Sequence, residues 1–155
     1  MAFRRHILSA IALSSLVCFT SSVSAQNRTF SFAYDQPPTT AYGIAANIFD
    51  AKLKELSGGK MSINQFPGAQ LGQEPQMLQK MRAGDIDFVI TSTANASTVA
   101  PQAGVFSLHF LFRDQNHLAK SLADPAISQA FRDMTKESVT GARTLGLLTM
   151  GLRNM

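Results

Sequence analysis

Three short strand-like runs alternate with two helix-length periodic segments between Thr29 and Ile90, and few folds accept that order. Thr29 to Tyr34 (TFSFAY) alternates aromatic and smaller side chains, which predicts a strand, and Asp35-Gln36-Pro37-Pro38 stops it. Ala41, Ile44, Ala45, Ile48, Phe49, Leu53 and Leu56 then recur at steps of three and four. Thr39 or Thr40 is placed to cap that stretch and Gly58-Gly59 follows it, so the pattern predicts an amphipathic helix. Lys60 to Phe66 predicts a second strand, ended by Pro67-Gly68. Glu74 to Ala83 carries Met77, Leu78 and Met81 on one face, with Pro75 in the first turn and Gly84 at the close, which predicts a short helix. Ile86 to Ile90 (IDFVI) is almost wholly apolar, the pattern of a strand buried on both faces of a parallel sheet. Strand, helix, strand, helix, strand makes βαβ units. The fold class is therefore α/β, with a mainly parallel sheet flanked by helices.

Beyond Ile90 the pattern is less regular. Thr91 to Ala103 is small and polar, and the aromatic-rich stretch Phe106 to Phe112 fits neither period. Asp114 is placed to cap a helix through Leu122, and Asp124-Pro125 forms a cap and first position for another through Met134. Gly141 to Met150, with Leu145, Leu147 and Leu148, predicts a fourth core strand. A parallel sheet needs both faces covered and its edges managed. The sequence stops just past that apolar stretch with no closing helix, so the expectation is a fragment.

The first twenty-five residues have a different character. Met1 to His6 is short and basic, Ile7 to Phe19 is apolar apart from three serines, and Val23-Ser24-Ala25 offers small residues where a signal peptidase reads. The apolar run is too short for a membrane span of about 20 residues. A signal peptide over residues 1–25, cleaved after Ala25, is expected to send the chain to the periplasm. Cys18 leaves with it, so the remainder must hold together by its core without a disulfide. The net charge of +4 comes partly from this segment: without Arg4 and Arg5, 12 basic residues face 10 acidic ones. No window holds more than two adjacent basic residues, which excludes the footprint of a nucleic-acid binder.

Groups able to do chemistry are sparse. Asp85 and Asp87 lie on one face of an extended stretch and, with Glu74, would be the carboxylates of a secreted hydrolytic enzyme. Asp85 directly follows the helix-stopping Gly84, however, which suits a solvated strand entry. His109 and His117 have no third ligand at a usual spacing, so no metal site is expected. With no phosphate-binding loop or nucleophile elbow, no cofactor is expected either. A stand-alone sensory or structural domain is the other alternative, and it predicts a polar terminus.

A string of loop features in fixed order is more telling. Leu56-Ser57-Gly58-Gly59-Lys60 precedes the strand ending Phe66-Pro67-Gly68-Ala69-Gln70-Leu71-Gly72-Gln73-Glu74, and the following helix closes in Gly84-Asp85-Ile86-Asp87. Phe106-Ser107-Leu108-His109-Phe110-Leu111-Phe112 comes later, and Gly151-Leu152-Arg153 last. This succession resembles the extracytoplasmic substrate-binding subunits of TRAP (tripartite ATP-independent periplasmic) transporters, the DctP type. The resemblance implies a type II periplasmic-binding-protein-like lobe, truncated before the second lobe, in a protein that closes around a small organic acid. It also implies delivery of that acid to membrane permease subunits of the DctQ/DctM type. By position, Tyr34 and Asp35 at the end of the first strand, Glu74 at a helix start, Ser92 and Thr93 after the third strand, and Arg153 of the Gly-x-Arg tripeptide become substrate-binding candidates. A carboxylate such as Glu74 is also what a helix N-terminus favours by itself. Arg153 suits a carboxylate because its guanidinium offers two parallel donors. Residues 26–150 would form the N-terminal lobe and 151–155 the start of the crossover.

Overall fold

The computed structural model describes residues 27–138 and 141–151. The expected signal segment, Cys18 and Arg153 lie outside the described residues. Strand β1 (Arg28–Ala33) is central, between β2 (Met61–Phe66) and β3 (Phe88–Val89), and both pairings are parallel. Arg28 stands opposite Met61 and Ala33 opposite Phe66, while Phe32 faces Phe88 on the other side. Helices α1 (Ala41–Ser57) and α2 (Glu74–Ala83) make the crossovers. The chain steps from β1 to one neighbour and then back past β1 to the other, so right-handed crossovers put the two helices on opposite faces.

Side-chain alternation along β1 sorts the core accordingly. Phe32 and Tyr34 pack with Tyr42 and Ala46 of α1, joined by Phe49, Ile63, Phe88 and Ile90. Ala33 points the other way, to Met77 of α2 and to Ile86, with Phe66, Leu71, Met81 and Val89 around them. The side chain of Asp50 on α1 reaches the sheet, its Oδ1 accepting the Ile63 N–H at 2.9 Å.

The rotation of α1 differs from the one the apolar stripe predicts. Ile44 and Ile48 are 55% and 65% exposed, while Tyr42, Gly43 and Ala46 are buried. Gly43 explains the turn, because a Cβ there would collide with the backbone of Pro38. The helix start lies directly on the Pro37-Pro38 stop, and only glycine permits that approach.

Strand β3 is shorter than the sequence predicts. Ile86 is buried, Phe88 and Val89 are half-buried, and Asp87 is not covered. Among the described residues β3 is an edge, paired only with β1, so one of its sides receives no ladder. Beyond it come α3 (Thr93–Ala96), a 3-10 helix over Pro101–Ser107, α4 (Gln115–Ala123) and α5 (Pro125–Ser138). The two expected caps form: Asp114 accepts the His117 N–H at 2.7 Å, and Asp124 accepts that of Ala126 at 2.8 Å. Ala100, Ala103 and Phe131 build a second core beneath these helices, with Phe106 edge-on to Phe131 at 5.1 Å. The fourth core strand is not formed over the described residues 141–151. Leu147 packs into the second core, but Leu145, Leu148 and Met150 are exposed. Apolar composition makes a strand only where a ladder partner meets the backbone, and among the described residues that stretch has none.

Candidate functional site

The sheet order places a topological switch point between β1 and β3, since the two crossovers leave β1 in opposite directions. In open α/β sheets the crevice outside the strand carboxyl ends at such a point is where ligands bind. Three loops and one helix start meet there. Tyr34–Gln36 follows β1, the Pro67-Gly68 loop follows β2, and Thr91–Asn95 follows β3. The second loop is laced to the first by backbone bonds: Gly68 N–H to the Gln36 carbonyl at 3.0 Å and Ala69 N–H to that of Tyr34 at 3.3 Å. Gly68 and Ala69 both take left-handed φ, 63° and 59°, a conformation that strains the alanine.

Glu74 is the hub of this end of the sheet. The first residue of α2, it is only 4% exposed. Its Oε2 accepts four hydrogen bonds: from Asn95 Nδ2 at 2.6 Å, Ser92 Oγ at 2.8 Å, and Ser92 N–H and Thr91 Oγ1 at 2.9 Å each. Burial pushes its pKa up, but the bonds from Asn95, Ser92 and Thr91 outweigh burial and hold the carboxyl below its ordinary value. Glu74 is therefore an ionised, buried carboxylate that ties the start of α2 to the segment after β3. Neighbouring Asp35 is half-exposed and shifts the opposite way. Burial raises its pKa first, and the adjoining Glu74 carboxylate raises it further by charge.

Of the residues singled out in the sequence, Asp35, Glu74 and Ser92 are brought together here. Thr93 stands beside them at the start of α3, its hydroxyl 3.1 Å from that of Ser107. Tyr34 lies elsewhere: its ring is fully buried against Phe32 and Tyr42, and its hydroxyl donates to Gln65 Oε1 at 2.7 Å. Its side chain is part of the core, and only its backbone borders the switch point. Arg153 lies outside the described residues. The sequence reading missed Thr91 and Asn95. A buried glutamate needs donors, and the Thr91-Ser92 hydroxyl pair with an amide three positions on was the available signal.

Asp85 and Asp87 sit at the opposite end of the sheet from Glu74. Asp87 clips the entry of β3 to β1: its Oδ2 accepts the Ser31 N–H at 2.9 Å and the Ser31 hydroxyl at 2.8 Å, and Arg28 stands 3.5 Å away. Those contacts, the Ser31 N–H first, hold its pKa below the ordinary value. The three carboxylates of the hydrolytic alternative do not converge. A cavity of about 310 Å³ lies on α5, lined by Gln129, Arg132, Asp133, Lys136, Arg143 and Thr144. None of these residues belongs to a loop following a strand, so the cavity has no part in the switch point.

The model of the DctP family, bacterial extracellular solute-binding protein family 7, matches residues 32–155. The chain belongs to this family. Among curated relatives it is 31% identical over 112 residues to the C4-dicarboxylate-binding protein DctB of Bacillus subtilis strain 168, covering 72% of this chain and 32% of that one. It is 32% identical over 119 residues to the 2,3-diketo-L-gulonate-binding periplasmic protein YiaO of Escherichia coli K12, covering 76% and 36%. A similar fold is seen in a TRAP periplasmic solute-binding protein from Xanthobacter autotrophicus Py2 with bound β-D-galacturonate. That structure matches with a TM-score of 0.66 at 29% identity, over 70% of this chain and 36% of its own. The chain spans about a third of the length of the curated relatives it matches. Family 7 is a solute-binding family, not an enzyme family.

Proposed function

We propose that this chain supplies the N-terminal lobe, residues 26–150, of an exported binding protein that captures a small organic acid and passes it to TRAP permease subunits of the DctQ/DctM type. The observation that carries this reading is the polar cluster at the β1/β3 switch point, in a chain whose family match begins inside β1. In this reading Asp35 and the Thr91–Thr93 segment border the ligand, Glu74 holds that segment in place, and Arg153 supplies the guanidinium that grips the ligand carboxylate. Export follows cleavage after Ala25, which puts the protein in the periplasm, the compartment named for the relative YiaO. Binding rather than catalysis is supported by the chemistry, because Glu74, the buried carboxylate among the described residues, is held ionised by four hydrogen bonds to its Oε2.

Isothermal calorimetry on the complete gene product carrying this sequence tests the proposal, with a panel of dicarboxylates, keto acids and sugar acids. The expected result is one-to-one binding of at least one acid at micromolar Kd, about 8 kcal/mol. Absence of heat with every acid at millimolar concentration would refute it.

A further inference from the structure

The cavity on α5 gathers cations that the switch point does not use, and it is independent of the binding function above. Its volume is about 310 Å³, and Gln129, Arg132, Asp133, Lys136, Arg143 and Thr144 line it. Arg132 and Lys136 lie one turn apart on α5, where like charges repel. Arg143 joins them from the stretch after the helix, which is held beside α5 because Ala142 and Leu147 pack onto the core around Phe131. None of the three cations forms an ion pair among the described residues, where the ion pairs use Arg28, Lys52 and Lys54. The helix C-terminus accounts for a cation at Lys136, in the last turn, but not for Arg132 or Arg143. Gln129 explains why the lining carboxylate leaves them unneutralised. Its Nε2 donates to Asp133 Oδ1 at 2.9 Å, while its Oε1 accepts from Arg132 Nη2 at 2.8 Å and Nε at 3.3 Å. Asp133 is thus engaged by an amide. Arg132 is fixed through its Nε/Nη2 edge, and its Nη1/Nη2 edge, a fork of two parallel donors, has no partner among the described residues.

We propose that this cavity binds a phosphate dianion, free or as a small phosphomonoester. Three cations against one carboxylate leave an excess of two positive charges in the lining, which a phosphate dianion neutralises and a monocarboxylate does not. An arginine fork takes two phosphate oxygens in parallel, and a lysine ammonium takes another as a point charge. Thr144 adds a half-buried hydroxyl as a neutral donor. The volume stands at the lower end of small-molecule sites, so a short organic group has room beside the phosphate. No residue of the lining belongs to a loop that follows a strand, so phosphate and an organic acid at the switch point bind without competing.

The test is calorimetry at pH 8 on the complete gene product in phosphate-free buffer. Inorganic phosphate and glycerol 3-phosphate are the probes, with acetate and chloride at matched ionic strength as controls. The expected result is saturable one-to-one binding of both phosphates with Kd below about 1 mM, and acetate and chloride at least about tenfold weaker. Arg132→Gln and Arg143→Gln should each weaken phosphate binding about tenfold or more, the loss of a charge-assisted contact. Arg143→Lys keeps the charge without the fork and should recover part of that loss. If Arg132→Gln fails to fold, the exposed Arg143, which lies outside the helix, decides. Absence of saturable heat with either phosphate at about 10 mM would overturn the proposal, as would acetate or chloride binding at parity. Wild-type affinity in folded Arg132→Gln and Arg143→Gln variants would also overturn it, and so would displacement of phosphate by an organic acid that the protein binds. Pelleting with phosphatidylglycerol vesicles without binding of either soluble phosphate would overturn it in favour of a diffuse membrane-surface patch.

Discussion

Replacing Glu74 with glutamine isolates what the buried carboxylate contributes, because the shape and one acceptor oxygen survive and only the charge is lost. Four donors converge on Oε2. A single carboxylate oxygen has about two lone-pair sites, so two of the bonds are well directed and the sum of four would overcount. A hydrogen bond to a charged group is worth roughly 1.5–3 kcal/mol against about 0.5–1.5 for a neutral one. Neutralising two therefore costs on the order of 2–3 kcal/mol. Relief of the repulsion with Asp35 and of the burial penalty subtracts from this. The sign stays the same, because the net pKa shift is downward and the folded protein prefers the ionised form. The expected loss is about 2 kcal/mol at pH 7, read from urea unfolding as a lower midpoint at unchanged slope.

The pH dependence gives the same experiment a second arm. A glutamate whose folded pKa is lowered contributes stability that is fully present above its unfolded value, about 4.3. That stability is lost as pH falls through the folded value. The gap between wild type and Glu74→Gln should persist at pH 4.5 and close progressively below it. Asp50 and Asp87, also lowered, are present in both proteins and cancel in the difference. A gap below about 0.5 kcal/mol at pH 7, or one that stays constant down to pH 3, would refute the account of Glu74 as an ionised hub.

Two glycines test the packing of α1. Gly43→Ala drives a Cβ into the Pro38 backbone and should cost about 3 kcal/mol or more by overpacking, whereas Gly58→Ala meets nothing and should cost only the left-handed strain of roughly 1–2 kcal/mol. Urea unfolding of both variants checks the ranking, and equal losses would show that Gly43 does not set the helix's approach. Expression in a bacterium followed by intact-mass measurement should give a periplasmic species beginning at Gln26, and a species that retains Met1 or carries lipid on Cys18 would contradict the expected signal. In the complete gene product Arg153→Ala should weaken binding of the preferred acid by about one to two decades, the loss of a charge-assisted contact worth roughly 1.5–3 kcal/mol. Calorimetry showing unchanged affinity would remove Arg153 from the site.

The elements legible in the sequence are those whose ends carry their own chemistry. Helix α2 begins and ends where Pro75 and Gly84 place it, and α4 and α5 start at Asp114 and Asp124, which cap them as expected. Periodicity failed where a neighbour, not the segment itself, decides the outcome. The stripe through Ile44 and Ile48 is real in the sequence, yet those residues face outward. Gly43 and Ala46 let the helix approach the sheet on its small-residue side, which a hydrophobic count scores as neutral. The stretch after Gly141 has the composition of a strand but no ladder partner among the described residues, and pairing is a property of two segments. The site divides in the same way. Glu74 was visible because a family motif and a helix start both mark it. Its burial and its four donors were not, since Thr91 and Asn95 come to it across 17 and 21 residues of chain. Tyr34 shows what alternation adds to position: the strand end it occupies reaches the switch point, but alternation along β1 turns its ring into the α1 core, with Asp35 next along the chain. A one-residue difference along a strand thus decides which side chain packs into the core and which lies at the strand end, and no count of residue types contains that information.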